Sequence, residues 1–237
     1  MVRMKMKKLL LTIIFAIFST NVSAQDFDKG YRAYQADDYI NALKWYQIGA
    51  EKGDSASQYN LGLMYYDGKG VIKDYDQALK WIRKSANQNE KHAQAMIGFM
   101  YTKGHGVKKD HSVAKKWYQL SAKQGYAYAQ HNLATMYIKG HGVLKDYGEA
   151  IKWWQLSAKQ GYALSQNDLG ISYAMGNGVL KNNIKAHMWF NIASANGNET
   201  SGMLRDKIEN KMTSEDISKA TAMARKCMAS DYKKCGY

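Results

Sequence analysis

Three groups of residues have the types and spacings from which chemistry is built. His105 and His141 occupy equivalent places in glycine-rich stretches, 36 residues apart. Cys227 and Cys235 form an even, clustered pair in the last eleven residues. The motif G-x-G-V-x-x-D occurs at Gly68/Gly70/Val71/Asp74, Gly104/Gly106/Val107/Asp110 and Gly140/Gly142/Val143/Asp146, and once more at Gly176/Gly178/Val179 with Asn182 in the last place. The glycine pairs are not phosphate cradles: the third glycine and the preceding strand of a nucleotide fingerprint are missing, and the motif recurs four times. Equivalent histidines of neighbouring repeats stand about 10 Å apart, against about 2 Å for a metal–nitrogen bond. No H-E-x-x-H, G-x-S-x-G or nucleophile–base set occurs. The sequence therefore predicts no catalysis, no metal and no cofactor. In an oxidising compartment the cysteines read as one disulfide.

The elements that would position these residues follow a fixed period. Trp45, Trp81, Trp117, Trp153 and Trp189 are each 36 residues apart, and the surrounding text recurs with them. Such a period indicates stacked units rather than a single closed domain. Each unit begins with a first helix, for example Ser55 to Tyr66. Its apolar stripe Leu61/Met64/Tyr65 recurs as Ile97/Met100/Tyr101 and Leu133/Met136/Tyr137. Gly62, Gly98, Ala134 and Gly170 keep one position tiny, which allows close helix approach. The loop glycines permit positive φ. The Asp or Asn before the second helix can cap its free N–H groups. That helix, such as Tyr75 to Asn87, sets a small Ala78, Ala114, Ala150 or Ala186 beside a large residue such as Tyr118, Trp154 or Phe190.

Four such units are expected over 55–198. A shorter opening unit over 25–54 lacks the glycine loop. Over 199–237 a polar helix, and then a second one opened by Thr213-Ser214-Glu215-Asp216, form a cap closed by Cys227 and Cys235.

The text A-Q-x-x-L-A-x-M-Y-x-x-G-x-G-V-x-x-D at 129–146, followed by A-x-x-W-x-x-x-S-A at 150–158, closely resembles the Sel1-like repeat family, a branch of the tetratricopeptide-repeat superfamily. The likeness covers 27–198. Gly30, Asp38-Tyr39 and Ala42 of the opening unit look like the plain tetratricopeptide form. Asn89 in place of the helix-ending glycine and Ser172 in place of the methionine are departures. The resemblance implies an all-α fold, an α-solenoid of antiparallel helix pairs acting as a protein-interaction scaffold. A cysteine-rich branch linked to penicillin binding carries a disulfide in each repeat. With only the terminal pair here, that activity is not transferred.

Residues that repeat serve the architecture, whereas residues that vary on a repeated helix are free to meet a partner. Those on the first helices are Tyr59, Leu63 and Tyr66; His92, Phe99 and Thr102; Tyr128, His131, Thr135 and Ile138; and Asn167 and Ile171. The family likeness implies that these positions line a concave groove, which Tyr31 and Tyr34 would extend. The expected partner is a protein or peptide held by exposed aromatic anchors.

Arg3, Lys5, Lys7 and Lys8, the apolar run from Leu9 to Phe18, and Val22-Ser23-Ala24 read as an export signal over 1–24. Export would place the protein in the periplasm or outside the cell, with no transmembrane span after cleavage. Removing the segment takes those four charges from the formal net +14 and no negative ones, leaving +10. On an exported protein that excess favours acidic proteins or anionic envelope surfaces over nucleic acid. The recurring Lys44, Lys80, Lys116 and Lys152 read as a solvated stripe. Two competing readings are an envelope or cell-wall hydrolase and a basic module binding anionic lipid or polysaccharide.

Overall fold

The computed structural model describes residues 25–236, so the export signal expected over 1–24 lies outside them. Among the described residues the regular structure is helical throughout. Helix α1 covers 25–35. It is followed by α2 (Tyr39–Glu51), α3 (Ser55–Asp67), α4 (Tyr75–Asn87), α5 (Lys91–Lys103), α6 (His111–Lys123) and α7 (Ala127–Lys139). Then come α8 (Tyr147–Ala158), α9 (Ala163–Met175), α10 (Asn183–Ala195), α11 (Glu199–Glu209) and α12 (Ser214–Ala229). The fold is all-α, of the α-solenoid class built from antiparallel helix pairs. The chain divides into two compact units, one ending at Lys109 and the other beginning at Asp110.

Most helices start where a side chain caps them. Asp74, Asp110, Asp146 and Asn182 accept hydrogen bonds from N–H groups of α4, α6, α8 and α10, each cap contributing about 1 kcal/mol. First helices end in left-handed glycines: Gly68, Gly104, Gly140 and Gly176 have φ between 69° and 80°. The second loop glycine has a further reason to lack a side chain. A Cβ on Gly106 would lie 2.6 Å from the carbonyl oxygen of Tyr75, and one on Gly142 would lie 2.5 Å from that of His111. Each loop therefore rests on the backbone at the start of the preceding repeat's second helix.

In the first unit, Tyr46, Leu61 and Met64 are buried, with Phe27, Tyr39 and Trp81 packed around them. Burial pushes the Tyr46 phenol up to about 12. In the second unit the core runs through Leu169, Met188, Trp189 and Phe190 to Ile208 and Cys227. The tryptophan ladder is shallower than its regularity suggests. Trp45, Trp81, Trp117 and Trp153 are half-buried, while Tyr46, Ile82, Tyr118 and Trp154, one position later, are inside; in α10 both Trp189 and Phe190 are buried. The expected tight approach at Gly62 and Gly170 is present: a Cβ there would fall 2.4 Å from Ile82 and 2.6 Å from Phe190.

Buried glutamines join successive helices. Gln58, Gln94, Gln130 and Gln166 donate to the carbonyls of Ala50, Ala86, Ala122 and Ala158. Gln58, Gln130 and Gln166 accept in turn from Gln88, Gln160 and Asn196. A buried amide with both ends paired avoids the desolvation cost of an orphaned polar group.

At the C-terminal end, α12 packs on α10 through buried Ala220, Ala224 and Cys227. Cys227 is disulfide-bonded to Cys235. The segment beyond α12 is anchored by the Tyr232 hydroxyl donating to Asn196 (2.9 Å) and by Lys185 donating to the Gly236 carbonyl (2.9 Å).

Candidate binding surface on the first helices

In the first unit the variable residues build an aromatic cluster rather than a row of free anchors. The Tyr66 ring lies 5.0 Å from Tyr75 and 6.3 Å from Phe99, and its hydroxyl is hydrogen-bonded to His105 Nδ1 (2.6 Å). His105 stacks on Tyr75 at 4.7 Å. The expectation of exposed aromatics is thus corrected: Tyr31 is half-exposed, whereas Tyr34, Tyr59, Tyr66 and Phe99 are partly buried against neighbours. Tyr34 accepts from Lys69 (2.7 Å), and the ring of Tyr59 lies 6.2 Å from that of His92, which is paired with Glu90 (2.6 Å). Leu63 is half-buried, and the Thr102 hydroxyl is spent on the Gly98 carbonyl (2.8 Å).

In the second unit, four expected residues converge. His131, Thr135, Ile138 and Ile171 line one cavity of about 350 Å³, together with Lys139, Tyr147, Trp154, Asp168, Ser172 and Asn177. Tyr128 lies outside it, its ring near Tyr118 and Tyr126, with burial raising its phenol. Asn167 is also outside, bonded to Asp168 (3.3 Å) and accepting from Ser201 (2.8 Å). His141, the other equivalent loop histidine, stacks on His111 at 4.4 Å.

The cavity owes its shape to residues that break the repeat. Ser172 stands where other first helices carry Met64, Met100 and Met136, so the outer end of a methionine side chain is missing there. Trp154 occupies a site that is Tyr, Ile, Tyr and Phe elsewhere. Its indole N–H is buried with no hydrogen-bond partner. Asp168 replaces Asn60 and Asn132, whose amides donate to the carbonyl four residues back. A carboxylate cannot donate, and Asp168 Oδ2 instead lies 3.7 Å from His131 Nδ1.

The proton on His131 can be placed. Ser157 donates to the Ala127 carbonyl, so it accepts from Ser165, and Ser165 has no second proton to give. His131 Nδ1 must therefore donate to Ser165 (3.1 Å), leaving Nε2 as an acceptor. Burial, aided by Lys139, lowers the imidazole to about 4. Burial raises the Asp168 carboxyl to about 6. The two are close but form no ion pair at neutral pH, because the imidazole is then uncharged. The lining residues thus bring together an indole, a neutral imidazole, a carboxylate and a lysine with the apolar Ile138 and Ile171. Sequence reasoning passed over Trp154 and Asp168. The signal that could have found them is the same one that marked His131: each departs from its counterparts in the other repeats.

Comparison with known proteins accords with this architecture. The Sel1 repeat model matches residues 28–54, 55–90, 91–126, 127–162 and 163–198, so the opening unit, expected as a plain tetratricopeptide form, is matched as a fifth Sel1 repeat. Curated proteins give no match. A protective antigen of uropathogenic Escherichia coli strains, displaying an SLR fold, is 33% identical with a TM-score of 0.82. The likeness covers 89% of this chain and 47% of that one, so the chain spans about half of that antigen's length. A Sel1 repeat protein from Oxalobacter formigenes is 34% identical with a TM-score of 0.75, over 86% of this chain and 88% of that one. A Klebsiella pneumoniae protein described as a Sel1 repeat protein shares the fold at 20% identity, with a TM-score of 0.53 over 79% and 93% of the two chains. By sequence, repeat phase and fold, the chain belongs to the Sel1 repeat family.

Proposed function

We propose that the protein is an exported, non-catalytic scaffold that binds a protein or peptide along the variable faces of its first helices. One observation carries this reading. Seven residues that break the 36-residue pattern, His131, Thr135, Ile138, Trp154, Asp168, Ile171 and Ser172, line one polar–apolar cavity. A lining of imidazole, carboxylate and lysine beside apolar side chains suits a peptide segment, which carries both polar and apolar groups. The family supports the scaffold role, since Sel1 repeats commonly mediate protein interaction. Export is supported by the charged and apolar leader in the sequence and by the disulfide, which is typical of oxidising compartments.

Ser172→Met tests the reading by restoring the family residue and filling the cavity. Crosslinking capture from native envelope and culture medium is expected to yield a partner with the wild type and to lose at least about 90% of it with Ser172→Met, a tenfold change worth about 1.4 kcal/mol. Helical content and thermal midpoint should be unchanged or higher. Equal capture by both proteins would remove the cavity from the binding surface.

A further inference from the structure

A second concavity in the same unit adds a partner chemistry to this reading. Helices α9, α10 and α11 enclose an apolar slot of about 270 Å³, floored by Phe190 and Ile208 and walled by Ile171 and Leu204. Its rim carries Lys181, Lys207 and Lys211. On α11, Leu204, Lys207 and Ile208 fall at i, i+3 and i+4, so one helix face supplies both the apolar wall and one of the charges, and Lys211 follows in the turn just past the helix end.

These charges are uncompensated from within. The acidic side chains nearby on α11 are engaged elsewhere, Asp206 with Arg205 (2.7 Å) and Glu209 with His187 (2.7 Å). Among the described residues, none of the three lysines has an ion-pair partner, and all three are exposed. Met175, 69% exposed at the lip, leaves further apolar surface open to solvent. Ile171 lines both this slot and the His131–Asp168 cavity, so the two sites are neighbours on one face of α9.

We propose that the slot is a docking site for an acidic peptide segment, with one bulky apolar side chain entering between α9, α10 and α11 while flanking carboxylates meet Lys181, Lys207 and Lys211. This rests on the scaffold reading above and specifies its partner. Charge complementarity selects an anionic ligand. Continuity past Ile171 selects an extended chain, which advances about 3.3 Å per residue and can offer a peptide group to one site and an apolar side chain to the other. A single apolar tail with one head group would occupy the slot alone.

The probe is a fluorescein-labelled peptide Glu-Glu-Leu-Phe-Glu-Glu, titrated by anisotropy with the purified protein. It is expected to bind at least about tenfold more tightly than Lys-Lys-Leu-Phe-Lys-Lys or Glu-Glu-Ser-Ser-Glu-Glu, and to weaken about tenfold between 50 and 500 mM salt. Lys207→Glu with Lys211→Glu should abolish the preference for acidic flanks. Leu204→Gln should weaken binding while leaving the salt dependence in place. Circular dichroism is the check that each variant is folded, and Lys207→Gln with Lys211→Gln serves if charge reversal unfolds α11. Equal binding of the three peptides, or no effect of the lysine variants, would overturn the inference. So would lysine-dependent binding to phosphatidylglycerol vesicles without peptide binding, or a concentration-dependent dimer that Leu204→Gln disperses. A native partner that is lost with Ser172→Met but retained by the lysine variants would refute this slot and leave the scaffold reading intact. Loss of both activities' expected dependence would refute both.

Discussion

His131 and Asp168 are two groups whose burial acts in opposite directions on stability. His131 titrates near 4 in the folded chain and near 6.5 unfolded, so the unfolded state binds the extra proton and stability falls as pH drops from about 6.5 to 4. Asp168 titrates near 6 when folded and 3.8 unfolded, so stability rises as pH drops from about 6 to 4. The two nearly cancel in the intact protein. Single substitutions should expose them. Asp168→Asn leaves a protein destabilised on acidification by on the order of 2–3 kcal/mol, and His131→Asn leaves one stabilised by a similar amount. Thermal midpoints between pH 7.5 and 4 decide this; parallel curves for the two variants would refute the assignment. The cavity also shows which part of the site the sequence made legible. His131, Thr135, Ile138 and Ile171 were reachable because variation within a repeated helix is visible in one chain. Ser172 was visible as a departure, but its meaning as missing volume depends on Trp154 lying across from it. Tyr66 failed as an exposed anchor for the same reason: its covers, Tyr75 and His105, come from other elements.

Elements were far more legible than contacts. The helix boundaries follow from caps and glycines, and α4 was expected and found over Tyr75–Asn87. What periodicity could not distinguish was the work done by individual glycines. Gly125 and Gly142 both have positive φ, but a side chain on Gly125 would meet nothing within 4 Å, whereas one on Gly142 would strike the His111 backbone. Gly125→Ala should therefore cost about 1–2 kcal/mol from backbone conformation alone. Gly142→Ala should cost about 1–3 kcal/mol more from overpacking. Urea unfolding of the two variants measures the difference, and equal losses would mean that the loop does not bear on α6. The tryptophan ladder illustrates the same limit: its phase located every second helix, yet in α2, α4, α6 and α8 the deeper residue is the one beside it.

For the molecule as a whole, the C-terminal end is held covalently as well as by packing. The disulfide closes a loop of eight-residue separation, and in the chain-entropy model contributes about 2–3 kcal/mol. Replacing both cysteines by Ser should lower the midpoint of the second unit's transition by about 5–10 °C. An unchanged midpoint would leave the cap held by α12 packing alone. The positive net charge also looks different at this scale. The recurring lysines on second helices are solvated, as their period suggested, while Lys181, Lys207 and Lys211 surround an apolar slot that no repeat pattern announced.

The buried glutamine hand-off has a genealogical consequence. Gln130 takes its partner from the end of the next second helix, and Gln166 does the same one repeat later. Each junction therefore asks for the same amide on one side and the same carbonyl on the other. A duplicated stretch such as 127–162, inserted in phase, brings both halves of that exchange with it. Unequal crossing-over in the gene can then lengthen or shorten the protein by whole repeats without orphaning these buried amides, and the new copy is free to diverge where the junction makes no demand, as at the variable positions of its first helix.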